Sequence, residues 1–353
     1  MSYSNIWDGF DHYATTGERW DLVSGTIQYS TSYARFAAAA HCVGQGVRLT
    51  AGITYKIKNY SSNVAGPMAS FAVYFEGISG SGVQGFFAFT DNSNYQLGLA
   101  FNSAGALLVY RGNPQGGGTL LGQTSPGLVT AGVWYFIDIT ATIATGTGGA
   151  CSVYLNTPKG GSAVLTISGA NTSNTGNAYA NQVLIGSTAN SGNALRFDDF
   201  HAHDAAGSAP NAIVGEGSRI YTKLPNGAGA LTNWTPNGAS ANWQCVDETP
   251  PDDNTTYVSS TTTVEDNYGV GAAGFTGTVN GLVRRSRISK NDAGTHTFQA
   301  GVRSGGVDQL GAAVTVPSSF AYFDVFSATD PNTSAAWGAS GADAASLSIY
   351  EAS

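Results

Sequence analysis

The sequence predicts an all-β protein of two domains, each a sandwich of two β-sheets. Short runs of alternating or continuous apolar residues recur along the 353-residue chain, separated by Gly, Asn, Ser or Pro, and this pattern is typical of antiparallel strands. Apolar residues at helical spacing are almost absent. The chain is longer than one ordinary domain of roughly 100–200 residues, and it has no repeat of fixed period that would indicate a solenoid or a fibrous shaft.

The first domain is predicted to contain ten strands. The segments between them are rich in Gly and Asn, which tolerate the positive φ angles that tight turns require. The turn-rich segment 205–217 follows the last of these strands, so the predicted domains are residues 1–208 and 209–353. The predicted strands are residues 47–49, 69–76, 85–90, 95–101, 106–110, 133–143, 151–155, 163–168, 182–187 and 195–203.

The second domain is predicted to be a smaller β-sandwich with an assembly or accessory role. It is the more acidic of the two, because residues 209–353 carry 7 basic and 13 acidic side chains, against 8 and 10 in residues 1–208. Its predicted strands are residues 219–224, 242–246, 255–260, 279–287, 294–302, 311–316, 319–325 and 345–350.

The charge of the chain excludes several classes of partner. A net charge of −8 repels phosphate backbones and anionic lipids, so no nucleic acid is expected to bind. Charged residues make up only 11% of the chain, and a surface of small polar residues is typical of extracellular and virion β-proteins. The sequence has neither a signal-peptide pattern at its start nor a run of about 18 apolar residues. We therefore expect a soluble protein, made in the cytoplasm, without membrane insertion.

One short segment is basic. Arg284, Arg285, Arg287 and Lys290 alternate with apolar residues, which favours a solvated strand face over a nucleic-acid site. These side chains are also expected to pair with the acidic residues of segment 247–266, within the chain or between subunits.

No metal or cofactor is predicted. The three cysteines are far apart and form no Cys-x-x-Cys arrangement, so buried free thiols are expected rather than a zinc cage or a disulfide framework. In the strand FDDFHAHD, Asp199, His201 and His203 would project from one face, and such a set can bind a transition metal. The alternative, which the sequence favours, places these side chains on a solvent-facing surface with Phe200 and Ala202 packed inward.

The sequence lacks the carboxylate pair that glycan hydrolysis requires. Jelly-roll glucanases carry these groups on alternate residues of one strand, facing a single cleft. Here Glu76 has no such neighbour, and Asp198 and Asp199 are adjacent, so they would point to opposite faces. No nucleophile elbow, zinc-protease helix motif or phosphate-binding loop occurs either. The sequence therefore predicts a non-enzymatic protein without catalytic residues.

Tryptophans are the candidate sugar contacts. Trp134 lies in the alternating run VWYFIDI and is predicted to be a core residue. Trp234 and Trp243 lie in the polar, turn-rich stretch LTNWTPNGASANW and are the predicted glycan-contact residues.

Four segments together resemble a group of tailed-bacteriophage virion proteins whose N-terminal half is a concanavalin A-like lectin/laminin-G jelly roll. The opening IWDGFDHYATTGERW resembles the start of these proteins, and GVWYFIDI resembles a laminin-G element in which Gly-x-Trp precedes a core strand. LIGSTANSGNALRFDDFHAHDAAG resembles the closing strands of that domain. TNWTPNGASANWQCVDETPPDDNTTYVSS resembles the start of their C-terminal region.

The resemblance implies a structural protein on the virion surface, in contact with other capsid or tail proteins. The leading hypothesis is a capsid decoration or head-appendage protein, assembled as a homo-oligomer such as a trimer. The alternative is a tail-associated adhesin that binds a host-surface glycan weakly and gains avidity from many copies.

Overall fold

The computed structural model describes residues 5–13, 19–80, 82–205 and 210–351. Strands dominate these residues, and they form several stacked sheets, which confirms the predicted all-β sandwich class. The chain divides into two compact units: the described parts of residues 1–11, 15–37 and 44–220 form the first, and those of residues 12–14, 38–43 and 221–353 form the second.

The strands of the first unit, and the short strand β4 that belongs to the second, are as follows. They are β1 (Asn5–Asp8), β2 (Leu22–Ser24), β3 (Ile27–Ser30), β4 (Cys42–Val43), β5 (Gly46–Leu49), β6 (Gly52–Val64), β7 (Pro67–Phe75), β8 (Val83–Asp91), β9 (Asn94–Asn102), β10 (Leu107–Arg111), β11 (Thr119–Gln123), β12 (Trp134–Thr142), β13 (Gly149–Leu155), β14 (Leu165–Ala170), β15 (Ala180–Ser191) and β16 (Leu195–Asp204).

The remaining elements lie in the second unit, apart from two short 3₁₀ helices at Thr31–Tyr33 and Gly146–Gly148. They are β17 (Thr222–Lys223), β18 (Pro225–Thr232), β19 (Thr235–Asn237), a 3₁₀ helix (Asn242–Cys245), β20 (Tyr257–Ser259), β21 (Glu265–Val270), β22 (Leu282–Ile288), β23 (Thr297–Ser304), β24 (Val307–Leu310), β25 (Val314–Thr315), β26 (Ala321–Ser327), α1 (Ala339–Ala344) and β27 (Ser346–Glu351).

Two antiparallel sheets build the first unit. One has the strand order β14-β13-β12-β7-β16-β5-β3, with β1 added beside β16, and the other has the order β11-β10-β9-β8-β15-β6-β2. Neighbours in each sheet are often distant in sequence, as in a jelly roll. All ten strands predicted for this half are present, and β1, β2, β3, β4, β6 and β11 were not predicted.

The core of the first unit is aromatic. Phe71 is fully buried and its ring contacts Phe87, Phe197 and Phe200, with centroids 4.9, 5.8 and 6.1 Å away. These contacts join side chains of both sheets, because Phe87 belongs to the seven-stranded sheet and the others to the eight-stranded sheet. Burial of large aromatic side chains is a principal source of stability in such a sandwich.

β16 carries one extra residue relative to β7. Asp198 lies opposite Ala72, and the next recorded pair is His201 opposite Ser70, so three steps along β16 match two along β7. Asp199, inside this β-bulge, has a φ of +51°, which few non-glycine residues adopt.

A loop of the chain covers the outer face of the seven-stranded sheet. Pro114 lies so close to this face that a Cβ atom on Gly98 would be 2.6 Å from its Cδ atom. The neighbouring Gln115 accepts a hydrogen bond through Oε1 from the backbone N–H of Gly85 at 3.0 Å. Segment 112–118 therefore requires glycine at position 98.

The second unit has two layers. A sheet of order β18-β21-β27-β23-β24, with β25 beside β23, forms one, and the β22–β26 pair packs against its core. The core contains Tyr268, Phe298 and Ile349. Residues 242–246, predicted as a strand, instead contain a 3₁₀ helix. It buries Asn242 and Cys245, three residues apart, which is the spacing of one 3₁₀ turn and not of a strand face.

The predicted boundary at residue 208 differs from the observed division. Residues 210–220, here named the cover segment, group with the first unit, because they fold back onto the outer face of the eight-stranded sheet. In the other direction, residues 38–43 group with the second unit, where β4 pairs with β17.

The basic and acidic segments of the second unit are joined in part. Arg287 forms two hydrogen bonds with Asp253, of 2.5 and 2.8 Å, so one member of each segment pairs within the chain as expected. Arg285 pairs with Asp324 instead.

Cys42, Cys151 and Cys245 are free thiols, the last two buried. Among the described residues, no helix has the length and apolar character needed to cross a membrane.

Candidate functional site

A row of large side chains crosses the outer face of the eight-stranded sheet. The strand register places Trp134, Tyr74, Arg196, Arg48 and Gln28 side by side on β12, β7, β16, β5 and β3. Adjacent strands lie about 4.8 Å apart, so the four steps span about 19 Å. We call these five residues the aromatic–arginine row.

Glu76 fixes both arginines of the row. Its Oε1 accepts from Nε of Arg48 at 2.8 Å and from Nε of Arg196 at 2.7 Å, and its Oε2 accepts from Nη2 of Arg48 at 2.7 Å. These hydrogen bonds, that from Arg48 foremost, lower the pKa of Glu76. Two guanidinium groups and one carboxylate leave this cluster with a charge of +1.

Two aromatic rings lie close to the guanidinium group of Arg196. The guanidinium carbon of Arg196 lies 4.7 Å from the ring centroid of Tyr74 and 5.0 Å from that of Tyr33. Tyr74 in turn contacts Trp134, with centroids 5.5 Å apart. Rings this close to a guanidinium group limit its rotamers, so the directions of its remaining donors are limited as well.

The row is accessible to a ligand. Side-chain exposure is 25% for Arg48, 24% for Arg196 and 20% for Glu76, and both Trp134 and Tyr74 are half-buried. The surface therefore combines apolar ring faces with oriented donors and acceptors, the usual composition of a site that binds a small polar ligand.

The sequence interpretation missed this site. It placed Trp134 in the core, but the inward-facing residues of that strand are Tyr135 and Ile137, whereas Trp134 lies on the outer face. It also left Glu76 without a neighbour, because the arginines that bind it are 28 and 120 residues away along the chain. The alternation of residues along a strand predicts on which face of the sheet each side chain lies. It does not predict which residues of the neighbouring strands lie beside that side chain.

His201 and His203 lie on one face of β16, as predicted, but that face is not exposed to solvent. They are 3% and 0% exposed, and their rings stack at 4.3 Å with an angle of 8°. Trp7 covers His201, with ring centroids 4.3 Å apart. The prediction of a solvated face is wrong because the Trp7 ring of the neighbouring strand β1 packs against His201 and the cover segment lies over this face of the sheet.

Asp138 ties the cover segment to the same region. Its Oδ1 accepts from the backbone N–H groups of Val214 and Gly215 at 3.2 and 3.3 Å, and from the hydroxyl of Ser70 at 2.5 Å. Val214 packs against Phe136. Burial raises the pKa of Asp138, and these hydrogen bonds act in the opposite direction.

Asp198 and Asp199 do not point to opposite faces, because the bulge redirects the second side chain toward the same arginine. Asp198 Oδ2 accepts from the backbone N–H of Arg35 at 2.7 Å, and Asp199 Oδ2 lies 3.5 Å from Nη1 of Arg35. Burial raises the pKa of Asp199 to about 6. Burial, together with the charge of Asp199, raises the pKa of Asp198 well above its ordinary value.

The proposed ligand set Asp199, His201 and His203 does not form a metal centre in this arrangement. Across residues 5–13, 19–80, 82–205 and 210–351, no group of three His, Cys, Asp or Glu side chains has the geometry to hold a metal ion. The bulge separates Asp199 from the histidines, since its Oδ1 accepts instead from the backbone N–H of Ile220 at 2.8 Å.

Trp234 and Trp243 belong to the core of the second unit. Trp234 is 8% exposed and donates from Nε1 to the carbonyl of Val264 at 3.1 Å. Trp243 is half-buried against the same cluster. The expectation that these indoles are exposed is therefore corrected, and their role as glycan contacts stays a prediction that this packing disfavours.

No protein-family model matches the sequence, and no curated protein sequence is significantly similar to it. Similar folds occur among solved structures. An endo-β-1,4-glucuronan lyase from the fungus Trichoderma reesei has a TM-score of 0.40 at 12% identity, over 55% of this chain and 93% of that one. The cellulose-induced protein Cip1 has a TM-score of 0.40 at 16% identity, over 60% and 99%.

The binding domain of botulinum neurotoxin DC, solved in complex with SialylT, has a TM-score of 0.37 at 15% identity. The match covers 54% of this chain and 44% of that one, so this chain spans less than half the length of that structure. At such identities, the similarity concerns the fold alone, a jelly-roll sandwich that also occurs in carbohydrate-related proteins.

The expectation of a non-enzymatic protein is contradicted by these neighbours. They include the glucuronan lyase and two alginate lyases, so this type of fold carries polysaccharide cleavage in other proteins. The absence of a carboxylate pair on one strand bears on glycan hydrolysis and not on cleavage by elimination. None of these similar structures bears on the resemblance to phage virion proteins, which stays an interpretation of the sequence.

Proposed function

We propose that the aromatic–arginine row binds an oligosaccharide. The observation that carries this proposal is the continuous arrangement of Trp134, Tyr74 and Arg196, held in register on a rigid sheet and partly exposed. Ring faces accommodate the C–H faces of sugars, while guanidinium, carboxylate and amide groups supply donors and acceptors to sugar hydroxyls.

The charge of the site favours an acidic sugar over a neutral one. Arg48 and Arg196 share the single carboxylate of Glu76, and each guanidinium retains donors beyond those bonds. Such donors match the geometry of a carboxylate on the ligand. A uronic acid or sialic acid unit presents a carboxylate of this kind, so glycans that contain these units are the expected ligands.

Glycan-array screening followed by calorimetry tests the proposal. In Trp134→Ala and Arg196→Lys, we expect affinity to fall at least tenfold, about 1.4 kcal/mol, because one change removes a stacking face and the other removes the planar guanidinium while keeping the charge. Tyr257→Ala is the matched control, since Tyr257 is an exposed aromatic residue of the second unit.

Two results would count against the proposal: no glycan binds the wild-type chain, or binding persists unchanged in both row variants. Cleavage of acidic polysaccharides is followed in the same samples, because lyases are among the structural neighbours. If the wild-type chain forms cleavage products and Arg196→Lys does not, the binding site also catalyses cleavage of the polysaccharide.

We further propose that the chain is a homo-oligomer displayed on the surface of a tailed-phage particle. The sequence resemblance and the small share of charged residues, 11%, support this setting. Glycan binding favours the tail-associated adhesin over capsid decoration, because many weak sites on one particle give avidity. Immunogold labelling of particles separates the two, and label on the head alone would reject the adhesin.

A further inference from the structure

The cover segment carries an exposed arginine that does not belong to the aromatic–arginine row. The guanidinium carbon of Arg219 lies over the ring of Phe36, 3.3 Å from its centroid. Arg219 is exposed, and Phe36 is 38% exposed. Both residues belong to the first unit. An exposed guanidinium group beside an aromatic ring is the same chemistry that Arg196 and Tyr33 supply in the row.

Two buried side chains anchor the backbone on both sides of Arg219. Nη1 of Arg35 donates a hydrogen bond to the carbonyl oxygen of Ser218 at 3.4 Å. Oδ1 of Asp199 accepts one from the backbone N–H of Ile220 at 2.8 Å. The side chains of Arg35 and Asp199 are only 12% and 6% exposed. The position of Arg219 on the surface is therefore set by contacts with the interior of the first unit.

Phe36 is anchored beside the row. The preceding residue, Arg35, donates its backbone N–H to Oδ2 of Asp198 at 2.7 Å. Asp198 follows Arg196 by two residues on β16, so it lies on the same face of the strand, about 7 Å further along. Tyr33, whose ring contacts Arg196, precedes Phe36 by three residues, so their Cα atoms are at most about 11 Å apart. The guanidinium group over Phe36 therefore lies within reach of an oligosaccharide that occupies the row.

A third accessible guanidinium group changes the ligand that this surface favours. Arg48 and Arg196 lie together on Glu76, so they act as one position for a carboxylate. Arg219 is a second position, on a different element. A glycan with a single terminal sialic acid presents one carboxylate and can satisfy one of these positions only. A polyuronate carries a carboxylate on every unit and can place one at each.

We infer that Arg219 and Phe36 form a second carboxylate subsite, and that the ligand of the glycan-binding surface is a polyuronate. One uronate carboxylate accepts hydrogen bonds from Arg48 and Arg196, and another accepts from Arg219, whose rotamers are limited by the ring of Phe36. This inference rests on the proposed function of the row, because it assigns the class of glycan that the row binds.

Calorimetry with two kinds of probe tests the second subsite. Hexamers of galacturonate, glucuronate and mannuronate carry a carboxylate on every unit, whereas sialyllactose carries one. We expect at least one hexamer to bind the wild-type chain about tenfold more tightly than sialyllactose does. Arg219→Gln should weaken binding of that hexamer about tenfold, because it removes one charge-assisted pair, and it should leave binding of sialyllactose unchanged.

Arg111→Gln is the matched control. Arg111 is a half-buried arginine of the same unit, but it lies on β10 in the seven-stranded sheet, so this variant should bind the hexamer like the wild-type chain. Phe36→Leu keeps an apolar side chain and removes the ring, so it should weaken hexamer binding several-fold while Arg219 keeps its charge. Urea midpoints of all variants are compared with that of the wild-type chain to exclude a loss of folding.

The outcomes separate this inference from the proposed function. If a hexamer binds and Arg196→Lys weakens it, but Arg219→Gln does not, the row binds glycans and the second subsite is wrong. Sialyllactose binding as tightly as every hexamer would also reject a polyuronate ligand. If no acidic glycan binds the wild-type chain, the proposed function fails, and the inference fails with it.

Discussion

His203 is a fully buried residue whose ionisation opposes folding. Burial lowers its pKa to about 4, and burial together with the neighbouring His203 lowers the pKa of His201 well below its ordinary value. A histidine with a depressed folded-state pKa is protonated first in the unfolded chain. Its contribution to stability is therefore present above the unfolded pKa of about 6.5 and is lost as pH falls toward the folded value.

We predict that replacing His203 with Phe flattens the dependence of stability on pH. The phenyl ring keeps the stacking contact with His201 but cannot take up a proton. Between pH 7 and pH 5, the wild-type chain should lose about 2 kcal/mol more unfolding free energy than His203→Phe does, measured by urea denaturation. The wild-type chain and the variant are compared with each other because Asp199 is present in both. The pKa of Asp199 is raised to about 6, so its contribution to stability increases as pH falls from 6 to 4, opposite to that of His203.

His41→Asn is the control for this experiment, since it removes a histidine that is exposed. Equal slopes for His203→Phe and the wild-type chain would show that His203 is not buried in the neutral form in solution.

At the scale of single elements, segment 112–118 depends on a close approach to β9. A methyl group at position 98 would lie 2.6 Å from Cδ of Pro114, whereas one at position 85 would lie 3.6 Å from its nearest atoms. We predict that Gly98→Ala lowers the unfolding free energy by about 1–3 kcal/mol through overpacking, and that Gly85→Ala, which faces the same proline, costs less than about 1 kcal/mol.

The double variant Gly98→Ala/Pro114→Ala tests the cause of that loss. Removing the Cδ and Cγ atoms of Pro114 should recover part of the stability, and the coupling between the two changes follows from a double-mutant cycle. Strictly additive effects would assign the loss to the backbone of β9 rather than to the proline.

Elements whose residues alternate cleanly or form apolar runs were predictable from the sequence. β8, β9 and β10 are such runs, and each was predicted within a few residues. β6 was missed although it has 13 residues, because Lys56, Lys58 and several polar residues interrupt its pattern. Lys56 is fully buried, and the ring centroids of Phe10 and Trp20 lie 5.6 and 5.2 Å from its Nζ. These rings are far from Lys56 in the sequence, so the residues around Lys56 do not predict its burial.

The candidate site was less predictable than the fold for the same reason. Trp134, Tyr74, Arg196 and Arg48 come from four strands, and only the register between those strands places them in one row. The segment FDDFHAHD was correctly singled out as unusual, but its environment depends on the bulge at Asp199 and on residues 210–220. Both are tertiary features that strand periodicity does not report.

For the whole molecule, the position of the first unit's end predicts how fragments behave. A fragment of residues 1–220 keeps both sheets and the cover segment, whereas a fragment of residues 1–208 loses the hydrogen bonds from Val214, Gly215 and Ile220 to buried carboxylates. We predict that the shorter fragment is less stable by about 3 kcal/mol or more, from lost apolar burial and unsatisfied acceptors.

Urea denaturation followed by tryptophan fluorescence measures the difference between the fragments. Both lack residues 221–353, so the comparison isolates the cover segment. If the two fragments have equal urea midpoints and slopes, the domain boundary lies at residue 208, as the sequence predicts.

The bulge in β16 also changes the parity of the strand. Before it, odd-numbered residues such as Phe197 face the interior, and after it even-numbered residues such as Phe200 and Ala202 do so. One strand thus contains two phases of alternation, joined at Asp199. With the same residues and no bulge, either Phe197 or the pair Phe200 and Ala202 would have to face outward. Deleting Asp199 would remove this mismatch, because it brings Phe197 and Phe200 into the same phase of one regular strand.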